Sequence, residues 1–450
     1  MSRPAPKQNA SKPQRPRLWR RLAIAAAVIC LLAIFGRDVL VGFVTSQSEK
    51  PIQRADYRSA QGWLHVAEFV APSNAKTAFL QARYYRHLGD QKQFAAWLKE
   101  VQARGFSPKR IALEQTLHRE TTGNLKGLDR QLSSLLIEGT DADEICEAYV
   151  LGCLMAYRLG DAEAVLQVWL SDFPNASKAR FLFGRLLEHR ENLNAAAEQY
   201  SIASDLGHGP SAYALAGVLA KQHEHESAII QATRARDLLY DPQPGNVLLA
   251  RLHRMIGDLD SAERYLSLTA PSKSDSAAIA WKLAGVPSSD AISEVDSERG
   301  EVLLGRKKYV EAEAAFRTAL KKSPQRWRLR NGLATALRLQ GKLEEAAEHL
   351  ECFSTATQAL NECGSLIDKL RSSPDDVEAR FMVAKTLLEH VSEDQGLVWL
   401  NSVLQYEPGH QEAHRILFEY YRDHDSANPS FRRLSQHHEQ QLNSQPVPGQ

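Results

Sequence analysis

Two consecutive segments of the chain carry the same pattern 34 residues apart: GEVLLGRKKYVEAEAAFRTALKKSP at residues 300–324 and ATALRLQGKLEEAAEHLECF at residues 334–353. The small and large apolar residues that match are Gly300 and Ala334, Tyr309 and Leu343, Ala312 and Ala346, Phe316 and Leu350, and Ala319 and Phe353. A period of this length is typical of helix–turn–helix units that stack into a solenoid. The repeat therefore predicts an all-α fold, and a protein that binds partners in preference to catalysing a reaction.

The same spacing continues along most of the chain. Small residues let the two helices of a unit approach closely, a glycine permits the turn between them, and a proline ends the second helix. The expected turn glycines of four units are Gly89, Gly160, Gly257 and Gly341. Repeats therefore fill residues 75–276 and 293–410, in units at 75–108, 109–142, 146–176, 177–208, 209–242, 243–276, 293–326, 327–360 and 377–410.

This pattern resembles the tetratricopeptide repeat (TPR) family, most closely in the units at 293–326 and 327–360. The tryptophan that the family carries early in its first helix is missing from the units, and residues 196–215 also resemble a Sel1-type repeat. The resemblance implies a right-handed superhelix whose concave inner wall comes from the first helix of each unit. It also implies a protein or an extended peptide as the partner.

Two stretches interrupt the period. Residues 277–292 place Ser, Asp and Pro around a short helix with Trp281, and residues 361–376 predict an extra helix. These breaks are either hinges that change the pitch of the superhelix or degenerate units. Residues 411–442 predict two capping helices with a polar outer side, as the end of a solenoid requires, and residues 443–450 predict a disordered tail.

The N-terminal region predicts a membrane anchor. Residues 1–21 carry seven Lys and Arg and no acid, so we expect them to be disordered. Residues 22–44 predict one transmembrane helix, followed at 45–74 by a linker and a first helix. The uncharged run ending at Gly36 makes only about 22 Å of helix, and extension to Val44 is needed to cross a core of roughly 30 Å. The span then requires Arg37 to reach the far interface.

A cleaved secretory signal is the alternative, although Val44-Thr45-Ser46 is a poor match to a small-residue cleavage site. Seven basic residues precede the apolar run and four follow it, at Arg37, Lys50, Arg54 and Arg58. The positive-inside rule then predicts a single-pass membrane protein with a cytoplasmic N-terminus and an extracytoplasmic body. Both alternatives export the body.

Charge and motifs exclude several classes of function. Lys plus Arg (55) balance Asp plus Glu (54), so no nucleic-acid partner is expected. The sequence lacks the phosphate-binding G-x-x-x-x-G-K-[ST] loop and the G-x-S-x-G nucleophile motif. The run His223-Glu224-His225-Glu226 falls at a predicted turn, and His410 and His414 lack the H-E-x-x-H order. The sequence therefore predicts no enzymatic activity, no cofactor and no metal site.

The inner-wall positions of the family give a set of aromatic and basic candidates for partner binding. They are Phe79, Arg83, Arg86, Phe181, Arg185, Tyr213, Lys221, Arg251, Arg254, Asn331, Arg338, Phe381 and Lys385. Guanidinium groups bind carboxylates in a bidentate manner and aromatic rings offer flat apolar contact, which predicts an extended, acidic peptide as ligand. The alternative is an ordinary solvated helix face, since arginine is a good helix former.

Two hypotheses of function follow. The first is a membrane-anchored scaffold that binds a protein or an extended peptide through the concave face of an exported solenoid. The second is an accessory, non-catalytic module of an envelope biosynthesis or maturation pathway.

Overall fold

The computed structural model describes residues 39–120, 131–137, 141–269, 281–284, 288–324, 326–424 and 429–443, with residues 125, 129 and 279 in addition. Regular structure in these residues is helical, and they contain no β-strand. The first helices are α1 (residues 39–53), α2 (Tyr57–Val70), α3 (Ala75–Leu88), α4 (Gln91–Ala103), α5 (Pro108–Glu120), α6 (Leu132–Ile137), α7 (Ala142–Met155), α8 (Leu159–Asp172), α9 (Ser177–His189), α10 (Leu193–Asp205), α11 (Gly209–Lys221) and α12 (His225–Leu238). The others are α13 (Gln243–Met255), α14 (Leu259–Ser267), α15 (residues 281–283), α16 (Ser288–Gly305), α17 (Tyr309–Lys322), α18 (Trp327–Leu339), α19 (Leu343–Ser372), α20 (Val377–His390), α21 (Glu393–Tyr406), α22 (Gln411–Asp423) and α23 (Pro429–Asn443).

Neighbouring helices pack on one another in chain order, as the helix–turn–helix pattern requires. The first helices of the units are α3, α5, α7, α9, α11, α13, α16, α18 and α20. Six of them begin at the first residue of their sequence repeat, namely α3, α9, α11, α13, α18 and α20. Three begin earlier than the repeat: α5 by one residue at Pro108, α7 at Ala142 and α16 at Ser288.

The turns inside the units use a left-handed residue after the first helix. Gly89 has φ +72° and ends α3, as its sequence position predicts. Gly160 does not form the turn after α7, because it lies inside α8. Tyr157 has the left-handed conformation there instead, with φ +54°. The same conformation occurs at Glu191, His223 and Lys307. A side chain at such a position costs about 1–2 kcal/mol, which the surrounding helix packing offsets.

Close packing explains the small residues of the repeat. The ring of Phe316 on α17 is fully buried between Gly300 on α16 and Gly332 on α18. A Cβ atom at Gly300 would lie 2.8 Å from this ring, and one at Gly332 would lie 2.5 Å from it. Both distances are too short for a real contact, so the large residue of one helix requires a glycine on each neighbour.

Parts of the chain that are distant in sequence contact each other at two places, here called inter-turn contacts. At the first inter-turn contact, Nη2 of Arg58 on α2 donates to the carbonyl oxygen of Leu239, 2.8 Å away and 181 residues along the chain. Around this bond, Tyr57 and Tyr84 pack in one apolar cluster with Leu283. Helices α2 and α3 therefore rest on the end of α12 and on the segment around α15.

The second inter-turn contact lies between the turns of two early units and helices α19 to α21. Nη1 of Arg380 donates to the carbonyl oxygen of Ala156 at 2.7 Å, and Nη2 of Arg371 donates to that of His189 at 3.1 Å. Tyr157 packs in a common apolar cluster with Leu370 on α19. These two bonds join residues 224 and 182 positions apart, and the second separation is close to the 181 positions at the first contact.

Both inter-turn contacts use the segments that interrupt the sequence repeat. Residues 279–284 supply the first contact, and the second uses residues 363–370. The prediction of a separate extra helix at 361–376 is wrong, because residues 343–372 form one uninterrupted 30-residue helix, α19. No glycine or proline separates the two halves at residues 359–362, and a Cβ atom at Gly364 would meet nothing within 4 Å.

The ends of the chain lie largely outside the described residues. This holds for the predicted segment 1–21, for residues 22–38 of the predicted span at 22–44, and for residues 444–450. None of the described helices is long and apolar enough to cross a membrane. The described part of α1 includes the last six residues of the predicted span. Val44, the last residue of that span, is buried against the protein with 2% exposure. The predicted C-terminal pair corresponds to α22 and α23.

Candidate functional site

The N-terminal part of the inner wall holds a buried group of charges, here called the inner charge cluster. It consists of Arg83 and Arg86 on α3, Arg110 and Glu114 on α5, Asp141 before α7, Glu144 and Glu147 on α7, and Lys178 on α9, together with His87. Four cations face four carboxylates, so the cluster is neutral when His87 is uncharged. Helical neighbours on the wall therefore satisfy one another's charges.

Glu114 is the centre of the cluster. Its side chain is fully buried, and Nη2 of Arg83 lies 2.5 Å from Oε1 while Nε of Arg86 donates to Oε2 at 2.7 Å. Arg83 also reaches Asp141 at 2.9 Å, and Arg86 also pairs with Glu144. Breaking such a pair leaves a buried charge without compensation, which costs about 3–5 kcal/mol.

Tyr57 of α2 covers the cluster. Its ring centroid lies 6.0 Å from that of His87, and burial raises the pKa of Tyr57 to about 12. Burial also lowers the pKa of His87. Burial alone would raise the pKa of Glu144, but His87, Arg83 and Arg86 hold it well below its ordinary value. Helix α2, which lies in the segment predicted as a linker and first helix at residues 45–74, thus covers the inner charge cluster.

His87, Glu144 and Glu147 form a group that the sequence analysis missed. One ligand atom from each lies within 4.8 Å of the others, which is the spacing of a metal site. However, Glu144 pairs with Arg86, and Nζ of Lys178 donates to Glu147 at 2.8 Å. A divalent cation would have to displace both partners, so these residues do not fit one. The sequence signal was present, since Glu144 and Glu147 are three residues apart on one helix face.

A second charge group lies in the middle of the inner wall. Nη2 of Arg251 donates to Glu294 at 2.7 Å, and Nε of Arg254 donates to Glu298 at 2.6 Å. Arg326 donates to Glu294 as well, at 2.6 Å. Burial opposes ionisation of Glu294, but Arg251 and Arg326 lower its pKa. Helix α16 therefore supplies the carboxylates for which the sequence analysis expected an external ligand.

These contacts give four of the basic candidates partners within the chain. Arg83 and Arg86 are 3% and 6% exposed, and Arg251 and Arg254 are partly buried. All four have carboxylates of this chain as partners because the next helices of the wall place glutamates opposite them. Their role in partner binding stays a prediction, and their internal pairing is what the structure describes.

The aromatic candidates also contact neighbouring helices. Phe79 is 1% exposed and stacks on Phe106 with ring centroids 4.6 Å apart, and Phe381 is 8% exposed with its ring 4.7 Å from that of His410. Phe181 and Tyr213 are half-buried. The aromatic side chains that were predicted to offer an apolar wall to a ligand therefore pack mostly against other helices of this chain.

Three candidates remain open, and we call Asn331, Arg338 and Lys385 the open inner-wall site. All three side chains are exposed. Within the described part of the chain, no carboxylate lies within salt-bridge distance of Arg338 or Lys385. Arg185 is half-buried, and the exposed Lys221 lies 3.3 Å from Glu188. The structure thus brings Arg83 and Arg86 together, and Arg251 and Arg254 together, but leaves the C-terminal candidates unpaired.

A cavity of about 400 Å³ borders the inner charge cluster. The end of α1, α7, α8 and the start of α9 line it, with Arg54, Asp143, Trp169, Asp172 and Lys178 among the lining residues. Nε1 of Trp169 donates to Asp143 at 2.6 Å, and burial raises the pKa of Asp143. Both signs of charge line the cavity, so it selects neither anions nor cations.

The histidines of the two sequence motifs, His223 in the first and His410 and His414 in the second, have structural roles in the described helices. His223 occupies a left-handed turn position before α12. Nδ1 of His410 accepts from the backbone N–H of Ala413, which caps α22. His414 is 3% exposed, with Nε2 at 2.9 Å from the carbonyl of Pro408 and Nδ1 at 2.8 Å from His438. The imidazole nitrogens of His414 are therefore occupied by contacts within the chain.

Comparison with known proteins identifies the repeat. Residues 298–351 match the model of the tetratricopeptide repeat family, and no curated protein sequence matches the chain. One similar solved structure is YrrB, a TPR protein with an unusual peptide-binding site, at 15% identity over 41% of this chain and 89% of YrrB, with a TM-score of 0.30. A second is the APC/C hetero-tetramer Cut9–Hcn1, at 14% identity over 88% of this chain and 94% of that chain, with a TM-score of 0.36.

A third similar structure is the human IFIT1 dimer with m7Gppp-AAAA, at 14% identity over 90% of each chain, with a TM-score of 0.36. Similarities at this level of identity and TM-score do not indicate what this chain binds. The family match covers the two units in which the 34-residue pattern is clearest. Residues 298–351 therefore carry tetratricopeptide repeats, and the TPR resemblance of the sequence is confirmed, whereas the Sel1-type resemblance of residues 196–215 stays a prediction.

Proposed function

We propose that the chain is a membrane-anchored scaffold that holds a protein or an extended peptide on the C-terminal part of its concave wall. The observation that carries this proposal is the open inner-wall site. Arg338 and Lys385 are exposed and without a carboxylate partner among the described residues, whereas Arg83, Arg86, Arg251 and Arg254 are paired internally. The unpaired cations are the groups that are available to a ligand.

The chemistry of the open inner-wall site favours an acidic ligand. The guanidinium of Arg338 can hold a carboxylate through two parallel hydrogen bonds, and Lys385 adds a flexible positive charge. The amide of Asn331 offers both donors and an acceptor to the backbone of an extended peptide. Met382, 41% exposed beside Lys385, adds an adaptable apolar contact.

Membrane anchoring is part of the same proposal. Its support is the uncharged run from Leu22 to Phe35, preceded by seven basic residues. By the positive-inside rule, the short N-terminus is cytoplasmic and the solenoid is extracytoplasmic. The scaffold would then keep its partner close to the outer surface of that membrane.

Charge reversal tests the binding site. The probe is a set of extended acidic peptides, each paired with a version in which Asn and Gln replace Asp and Glu. We expect Arg338→Glu with Lys385→Glu to weaken binding of the acidic members at least tenfold, because two attractions become repulsions. The matched control is Lys99→Glu with Lys321→Glu, which reverses two exposed charges on the second helices of their units. Equal binding by the site variant, or equal binding of the amide peptides, would refute the proposal.

Protease treatment of intact spheroplasts tests the orientation. We expect the body to be digested without lysis and the N-terminal tail to be protected. A body that is resistant in intact spheroplasts and cut only after lysis would reverse the orientation and leave the binding site untouched.

A further inference from the structure

Helices α1 and α2 carry an exposed apolar surface, here called the apolar foot. It consists of Val39, Leu40 and Phe43 on α1 with Trp63, Val66 and Phe69 on α2. We propose that the apolar foot lies in the headgroup layer of the bilayer and fixes the angle at which the solenoid stands on the membrane. This inference rests on the membrane anchoring in the proposed function.

The two sides of α1 have different surroundings. At 100° per residue, Val39, Leu40 and Phe43 share one face, and they are 73%, 46% and 53% exposed. The opposite face carries Thr45, Ser48 and Ile52, which are 3%, 0% and 1% exposed against the body of the protein. Helix α1 is therefore apolar on a side that no described part of the protein covers.

Helix α2 extends the same surface. Its buried face carries Leu64 and Ala67, while Val66 and Phe69 lie on the opposite face with 44% and 89% exposure. Trp63 lies at the edge and meets Phe43 of α1, with ring centroids 6.3 Å apart and planes at 87°. Six apolar side chains on two adjacent helices form a continuous surface, which differs from the single exposed apolar residues of ordinary protein surfaces.

The connection to the N-terminal segment identifies the bilayer as the partner of this surface. The run of apolar residues ends at Gly36, and the described part of α1 opens three residues later at Val39. If the anchor continues into α1 with Leu40 at the boundary of the hydrocarbon core, the three helical residues from Leu40 to Phe43 rise about 4.5 Å. The headgroup region on each side of the hydrocarbon core is about 5–8 Å thick. Val39 and Leu40 then lie at the core boundary and Phe43 lies among the headgroups.

The residue types agree with this depth. None of the six residues carries a charge, and three are aromatic. Tryptophan is enriched at membrane interfaces because its ring is apolar while its N–H group can hydrogen-bond to headgroups or water. With Val39 and Leu40 at the core boundary, the helix from Leu22 has 19 residues, near the roughly 20 needed to span, and Arg37 and Asp38 lie in its last turn, from which Arg37 must reach the interface.

Trp63 fluorescence in the full-length protein tests the inference. The protein is reconstituted into vesicles of plain lipid or of lipid brominated high on the acyl chains, and the Trp63 signal is the difference between wild type and Trp63→Phe. We expect brominated lipid to quench most of this signal. The corresponding difference for Trp327→Phe, on α18 far along the solenoid, should be unchanged.

A second variant removes the surface without touching the core. Val66→Glu with Phe69→Glu should reduce quenching of Trp63 by brominated lipid severalfold and increase its quenching by acrylamide in water. The matched control is Ile230→Glu with Val310→Glu, at residues 65% and 66% exposed on other helices, which should leave Trp63 as in the wild type.

The outcomes separate this inference from the anchoring itself. Release of the wild-type protein from membranes by alkaline carbonate would refute the anchoring. A protein that stays in the membrane but shows no lipid quenching of Trp63 would refute the apolar foot alone. Shielding of Trp63 from both brominated lipid and acrylamide would also overturn it, because the N-terminal segment or a second copy would then cover the surface.

Discussion

The two halves of the inner wall use the same repeat and the same kinds of side chain, yet they differ in what their cations do. On α3, Arg83 and Arg86 are buried in ion pairs with carboxylates from α5 and α7. On α18 and α20, Arg338 and Lys385 point to solvent with no carboxylate partner among the described residues. Position in the repeat selects the face of the helix, but the neighbouring helices decide whether the side chain is available.

The difference has two physical causes. Helices α5 and α7 place Glu114 and Glu144 opposite the arginines, and Tyr57 of α2 covers the cluster. Once covered, the charges are held by partners with good geometry, since a buried ion without a partner is costly. Among the described residues, no carboxylate pairs with Arg338 or Lys385 and both side chains are exposed, so these cations stay hydrated.

The largest effect is expected from removing the central carboxylate of the buried half. Glu114→Gln leaves Arg83 and Arg86 without a shared negative partner, and we expect a loss of about 3–5 kcal/mol in the free energy of unfolding. Denaturant titration followed by circular dichroism measures it. The matched control, Glu198→Gln on the exposed face of α10, should change this free energy by less than about 0.5 kcal/mol. A small loss at Glu114 would show that the cluster is not what stabilises this half.

Packing in the C-terminal half is expected to give the next largest effect. Gly332→Ala places a Cβ atom 2.5 Å from the ring of Phe316, and the resulting overpacking should cost about 1–3 kcal/mol. Thermal unfolding of the variant measures this cost. Restoration of stability by adding Phe316→Leu would confirm the ring as the cause, and a neutral Gly332→Ala would contradict the packing described here.

Acid is expected to weaken the fold through buried histidines. Burial lowers the pKa of His208, 2% exposed before α11, from 6.5 to about 3. The folded state therefore binds this proton more weakly than the unfolded state, so stability is complete above pH 6.5 and is lost as the pH falls below it. At pH 5 this group alone should cost about 2 kcal/mol.

His208→Asn tests this contribution, because asparagine can still accept from the backbone N–H of Ser211 at the start of α11. The variant should lose less stability than the wild type between pH 7 and pH 5. Parallel curves of unfolding free energy against pH would show that His208 does not titrate as described.

The smallest effect is a stabilisation within the long helix. A Cβ atom at Gly364 would meet nothing within 4 Å, and this position lies inside α19. Gly364→Ala should therefore raise the free energy of unfolding by up to about 1 kcal/mol, as helix propensity predicts. A loss of stability would indicate that α19 is broken there after all, as the sequence analysis expected.

The periodic part of the fold was predictable from sequence. Alternating small and large residues determine helix packing locally, which is why α9, α11, α13 and α18 begin where their repeats begin. The two inter-turn contacts were not predictable, because their hydrogen bonds join residues 181 to 224 positions apart. Local pattern contains no information on such pairings.

The candidate site was only partly accessible to sequence reasoning. Spacing places Arg83, Arg251 and Arg338 on inner-wall positions of a repeat, but it cannot show which of them faces a carboxylate of the next helix. Nothing in the sequence pattern marks Glu114 and Glu298, although their carboxylates pair with four arginines of the inner wall. Availability depends on tertiary neighbours, and that is what the structure adds.

The most direct test compares the thermal midpoints of two charge-reversal pairs. We predict that Arg83→Glu with Arg86→Glu abolishes or strongly lowers the cooperative transition, because it buries four or more like charges together. We predict that Arg338→Glu with Lys385→Glu leaves the midpoint within about 2 °C of the wild type. An N-terminal pair as harmless as the C-terminal pair would contradict the division of the inner wall into a structural half and an open half.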